Sequence, residues 1–128
     1  MISFDTFQPI DGTPIYQQIL LFIKRGAVAG TIRNGDELPS RRMLSALLGI
    51  NPNTVQKAFH LLEEEGLIES TLGAGSNMTL TQQKLKELRE ELLKDDIRGI
   101  IRSLRQTGIS KEEAIQLINL NWEESGDE

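Results

Sequence analysis

Apolar residues recur at helical spacing along most of this chain, and two short stretches break the pattern. From Pro14 onward, Ile15, Ile19, Phe22 and Ile23 fall three and four residues apart, as on one face of an α-helix. Thr13 is placed to cap this helix, Pro14 loses no needed N–H at its first position, and Gly30 closes it as a left-handed cap. Asn34-Gly35-Asp36 then signals a turn. Pro39 drives the residue before it out of helical backbone, so Leu38 is expected as a short edge strand. Ser40 caps a second, short helix with Leu44, Leu47 and Leu48 turned inward, and Gly49 ends it. Asn51 caps and Pro52 opens a third helix that runs to about Glu65 and ends at Gly66.

The pattern then changes. Leu67 to Leu72 and Ser76 to Leu80 read as short strands, and the glycine-bearing link Gly73-Ala74-Gly75 makes them a β-hairpin. From about Gln82, Leu85, Leu88, Leu92, Ile97, Ile100 and Leu104 mark one long amphipathic helix, closed by Gly108. Ser110 and Glu113 have the spacing of a capping box. It opens a last helix whose apolar face carries Ala114, Ile115, Ile118 and Trp122, with Trp122 expected as an anchor and Glu123 to Glu128 expected to fray. The expected fold is therefore mainly α with a small β-wing: a winged helix-turn-helix domain over 12–80 and a two-helix C-terminal tail over 81–128.

Composition narrows the function more than the fold. The 128 residues include no cysteine, which excludes disulfides, thiol catalysis and cysteine-zinc sites. The first residues carry no basic segment leading into an apolar run, and no apolar stretch approaches the ~20 residues of a membrane span, so a cytoplasmic protein is expected. Fourteen Lys and Arg against nineteen Asp and Glu give a net charge of −5. Neither the part before Thr81, with six basic and eight acidic residues, nor the part after it, with eight and eleven, is basic. Any nucleic-acid surface must therefore be local, since net charge informs chiefly about solubility and long-range association.

The third helix offers such a surface. Val55, Ala58, Phe59 and Leu62 share one side, and Asn53, Gln56, Lys57 and His60 share the other. Asn and Gln present paired donor and acceptor groups suited to the major-groove edge of adenine. The free N–H groups at the helix N-terminus favour a phosphate. Any surface helix has a polar face, but the short capped partner helix before this one and the hairpin after it point to double-stranded DNA.

Pro14-Ile15-Tyr16-Gln17-Gln18-Ile19, Leu38-Pro39-Ser40-Arg41-Arg42-Met43-Leu44, Asn51 to Phe59 and Leu62 to Glu69 together resemble the GntR family of bacterial transcription regulators. The Asn-Pro-Asn-Thr-Val wording and the short helical tail are similar to its YtrA-type branch. The resemblance implies a repressor, often of nearby transporter genes, whose two-helix tail is a dimerisation arm. It implies DNA contacts at Arg42, at Asn51, Asn53 and Thr54, and at Gln56 and Lys57, and the polar face adds His60 one turn further on. Wing contacts are implied at Gly73 and Gly75. Many members carry arginine at the position of Gln56, and most carry a cation at the wing, where this chain has Leu72-Gly73-Ala74-Gly75-Ser76-Asn77. Affinity is therefore expected to lean on Arg41, Arg42 and Lys57.

Leu92-Leu93, Ile97 and Ile100-Ile101 form a stripe too wide to be covered by so small a domain, and a symmetry mate is the expected partner, with Leu85, Leu88, Leu92, Ile97, Ile100 and Leu104 at the dimer interface. A homodimer predicts a palindromic operator. Fewer than fifty residues follow Leu80, too few for a sizeable effector pocket, and nothing in them identifies an effector. No cofactor or metal is expected, because His60 is the only histidine and the runs Glu63-Glu64-Glu65 and Asp95-Asp96 read as solvated faces. No catalytic constellation is present. The competing interpretation is a winged-helix protein-interaction module with little DNA affinity, motivated by the acidity and the uncharged wing.

Overall fold

The computed structural model describes residues 1–71 and 75–125. Its elements are α1 (Ile15–Ala29), α2 (Arg41–Leu48), α3 (Pro52–Glu64), β1 (Ile68–Thr71), β2 (Gly75–Met78), α4 (Gln82–Arg105) and α5 (Lys111–Ser125). They fall into two compact units, Met1–Arg89 and Glu90–Glu128.

In the first unit, α3 packs against α1 and α2. Ile19, Ile23, Leu44, Val55, Ala58, Phe59 and Leu62 are buried together with Met78 from the hairpin. The helical spacing placed the inner faces of α1 and α3 where they are found. In α2 it held only in part: Leu44 is buried and Leu48 half-buried, but Leu47, at the edge of that face, is 68% exposed. The expected cap at Thr13 is also absent. Pro14 itself is the N-cap, with no side-chain hydrogen bond. The Thr13 carbonyl instead accepts from the Gln18 side chain.

The turn between α2 and α3 is built from both ends. Ser40 Oγ accepts from the Met43 N–H at 3.0 Å, and Asn51 Oδ1 accepts from the Asn53 N–H at 2.8 Å. Gly49 takes φ +64°, a left-handed conformation that a side chain disfavours. Ser45 Oγ donates to the Ile50 carbonyl at 2.6 Å, and the Ile50 N–H donates to the Ser45 carbonyl.

β1 and β2 pair antiparallel, with Ser70 opposite Ser76 and Ile68 opposite Met78. The segment expected as an edge strand lies along the far side of β2. It forms only an isolated bridge, between Glu37 and Asn77, although Leu38 N–H also donates to the Ser76 carbonyl. Proline next to Leu38 stops the ladder there. The N-terminal residues pack on this unit: Ile2 N–H donates to the Glu37 carbonyl, and Phe4 stacks on Phe22 with ring centroids 4.9 Å apart.

α4 runs through Gly99 without a break, and its 24 residues make it about 36 Å long. At its start, Lys84 Nζ donates to the carbonyls of Gly66 and Thr79, satisfying backbone groups left open after α3. Leu88 and Leu92 are buried in the single chain and Leu85 is half-buried. In the second unit, α4 and α5 enclose an open groove of about 340 Å³, lined by Ile97, Ile100, Ile101, Leu104, Ile115 and Ile118 among others. Ser110 caps α5 by accepting from the Glu113 N–H, which is half of the expected capping box. Trp122, expected as an anchor, is 72% exposed in the single chain. α5 extends to Ser125, past the start of the expected fraying; the rest of that stretch, 126–128, lies outside the described residues.

Candidate nucleic-acid interface

α3 divides as its spacing predicts. Asn53, Gln56, Lys57 and His60 are exposed, and the apolar residues between them are buried. Capping by Asn51 and the absence of an acid in the first turn leave a positive dipole end at the start of α3. The first turn of α2 likewise holds no acid. Two helix N-termini able to receive phosphate thus accompany the polar face, which answers how an acidic chain can meet a polyanion.

The side chains expected on this surface are engaged to different degrees. Asn53 and Gln56 have no side-chain partner among the described residues and present open amide groups. Arg42 is exposed and likewise unpaired. Asn51 spends its carbonyl oxygen on the cap, and Thr54 is half-buried, with its N–H donating to the Asn51 carbonyl. Lys57 Nζ lies 4.0 Å from the centroid of the Tyr16 ring, which holds a flexible cation over α1. His60 Nε2 lies 3.0 Å from Glu64 Oε1 one turn on, so a carboxylate stands beside the last expected contact.

Arg41 is oriented differently from its neighbour. Its guanidinium donates from Nη2 to Glu63 Oε1 at 3.1 Å and lies 5.4 Å from the Phe59 ring centroid. It is a brace between α2 and α3, whereas Arg42 is free to reach a phosphate. Of the wing glycines, Gly75 opens β2 at φ +80°, and Gly73 lies outside the described residues. Sequence spacing does not reveal Tyr16, Glu63, Ser70 or Ser45. Tyr16 meets Lys57 only through tertiary packing, and Glu63 is one of three adjacent glutamates with nothing local to single it out.

No cluster of His, Asp or Glu among the described residues could hold a metal ion. No helix among them is long and apolar enough to cross a membrane.

Residues 15–77 match the gntR family of bacterial regulatory proteins. Over 98 residues the chain is 40% identical to the HTH-type transcriptional repressor YtrA of Bacillus subtilis (strain 168), covering 72% of this chain and 73% of that protein. The chain belongs to the GntR family. A GntR family transcriptional regulator from Listeria monocytogenes shares its fold with a TM-score of 0.77 and 33% identity, covering 87% of this chain and 97% of that one. AraR(DBD), solved in complex with operator ORX1, matches with a TM-score of 0.50 and 26% identity over 56% of this chain and 89% of that one. As a GntR-family member the protein is a DNA-binding transcription regulator, and its relatives are regulators rather than enzymes. The similarity to YtrA agrees with the branch that the tail and the opening of α3 resemble.

Proposed function

We propose that this GntR-family regulator is a dimeric repressor that reads a palindromic operator, with 12–80 as the DNA-binding domain and 81–128 as the dimerisation tail. The observation that carries the reading is the exposed apolar face of the tail. Leu93, Ile97, Ile100, Ile101, Ile115 and Ile118 are all at least 42% exposed in the single chain. A contiguous apolar surface of this kind marks an association site. A second copy has the same surface, and a two-fold arrangement covers both at once. Leu88 and Leu92 are already buried within one chain, so the seam is built from Ile97, Ile100 and Leu104 together with α5. Repression is supported by the name of the Bacillus relative, and operator binding by the AraR complex. Transporter genes are the targets that the family resemblance suggests.

On DNA, Asn53 and Gln56 read base edges, Arg42 and Lys57 contact phosphate, and the capped starts of α2 and α3 add backbone N–H donors. Asn51, Thr54, His60 and Gly75 flank these contacts. Selection of random duplexes, followed by titration of the winners at several salt concentrations, tests the whole reading. The expected result is a palindrome bound by one dimer, with half-sites about one DNA turn, ~34 Å, apart and affinity falling steeply with salt. A folded dimer that enriches no sequence would instead favour a protein-interaction module.

A further inference from the structure

We propose that Arg41, Glu63 and Ser70 are positioning residues that set the wing against the recognition helix, and that Arg41 does not itself contact DNA. The inference rests on the reading above only in taking the hairpin as a DNA-contacting wing. One carboxylate oxygen, Glu63 Oε1, receives both the Arg41 guanidinium from α2 and the hydroxyl of Ser70 from β1. Ser70 Oγ in turn lies 2.9 Å from Ser76 Oγ, its cross-strand partner in β2. Ser76 is buried, whereas Ser70 lies at the surface with its hydroxyl turned to Glu63. A single oxygen therefore ties α2, α3 and the hairpin together.

The covalent route from α3 to the hairpin passes through Gly66 at φ +73°, where the Gly66 and Leu67 N–H groups donate back to the Glu63 and Leu62 carbonyls. The side-chain link from Glu63 to Ser70 spans that turn and closes the angle. Arg41 is held in this role. Its guanidinium lies on the face of the buried Phe59 ring, and its Nε is buried without a hydrogen-bond partner. The neighbouring Arg42 is instead exposed.

The test uses the full chain carrying Arg41→Gln, Glu63→Gln or Ser70→Ala, compared with Arg42→Ala. In the free protein, amide hydrogen exchange of β1 and β2 is expected to quicken about tenfold in Glu63→Gln and Ser70→Ala, with α3 core amides unchanged. On a selected duplex, Arg41→Gln is expected to raise Kd with the salt slope unchanged and to weaken wing protection in a hydroxyl-radical footprint. Arg42→Ala is expected to lower the slope by about 0.9, the value of one released counterion. A slope change of that size in Arg41→Gln overturns the assignment, as does unchanged hairpin exchange in both Glu63→Gln and Ser70→Ala. The exchange measurement needs no DNA, so it decides the positioning role even if no duplex is selected. Ser70→Ala removes only a hydroxyl, which keeps the test alive if Glu63→Gln does not fold.

Discussion

Asn53 and Gln56 present neutral amides on the outer face of α3, whereas Arg42 and Lys57 present charge, and the two kinds of side chain are expected to fail differently when removed. Gln56→Ala or Asn53→Ala is expected to cost about 1–3 kcal/mol at particular base pairs and little at others, because a lost paired hydrogen bond is felt only opposite its own base. Arg42→Ala or Lys57→Ala is expected to weaken binding on every sequence and to reduce its salt dependence. Titrations on the selected duplex and its single-base variants separate the two groups. Uniform losses from all four would undo the division. Tyr16 adds a smaller contribution: removing the ring beneath Lys57 with Tyr16→Leu is expected to cost about 0.5–1 kcal/mol of affinity, the worth of an exposed cation–π contact.

At the scale of elements, the α2–α3 turn depends on a hydroxyl as much as on its glycine. Ser45→Ala leaves the Ile50 carbonyl without its side-chain donor and is expected to destabilise the fold by about 1 kcal/mol, seen as a lower denaturant midpoint at unchanged slope. α4 divides its apolar residues between buried and exposed positions. Leu88→Ala is expected to cost about 2–5 kcal/mol of folding stability, as a buried leucine that leaves a cavity. Ile100→Asp changes an exposed position and is expected to leave the fold intact while dissociating the dimer in sedimentation. A dimer of unchanged stability would reject the tail seam. Leu92, although on the same stripe, reports on folding because it is already covered.

For the whole molecule, the −5 charge does not preclude a local surface for DNA. Glu63 is paired with Arg41 and Glu65 with Lys24, so part of the acidity near α3 is locally compensated. Two domains joined through their tails should bind a palindrome in one step. The Ile100→Asp protein should then occupy single half-sites with a higher Kd, which a footprint on full and half operators can check. Retention of full-operator affinity by a monomer would separate DNA reading from dimerisation.

Sequence alone determined the helices, the caps of α2 and α3 and the buried face of α3, because periodicity, capping residues and glycine or proline punctuation act over three or four neighbours. Ser40, Asn51, Pro52 and Gly49 each perform the local task their chemistry suggests. Tertiary structure alone decided which polar side chains remain available. Arg41 and Arg42 are adjacent in the chain, yet one turns to a carboxylate 22 residues on and the other to solvent. Lys57 finds its ring on α1, Ser70 finds Glu63 across a turn, and Leu47 remains uncovered although its leucine neighbours suggested a core position. These outcomes depend on which elements pack beside one another, and a short-range pattern carries no record of that.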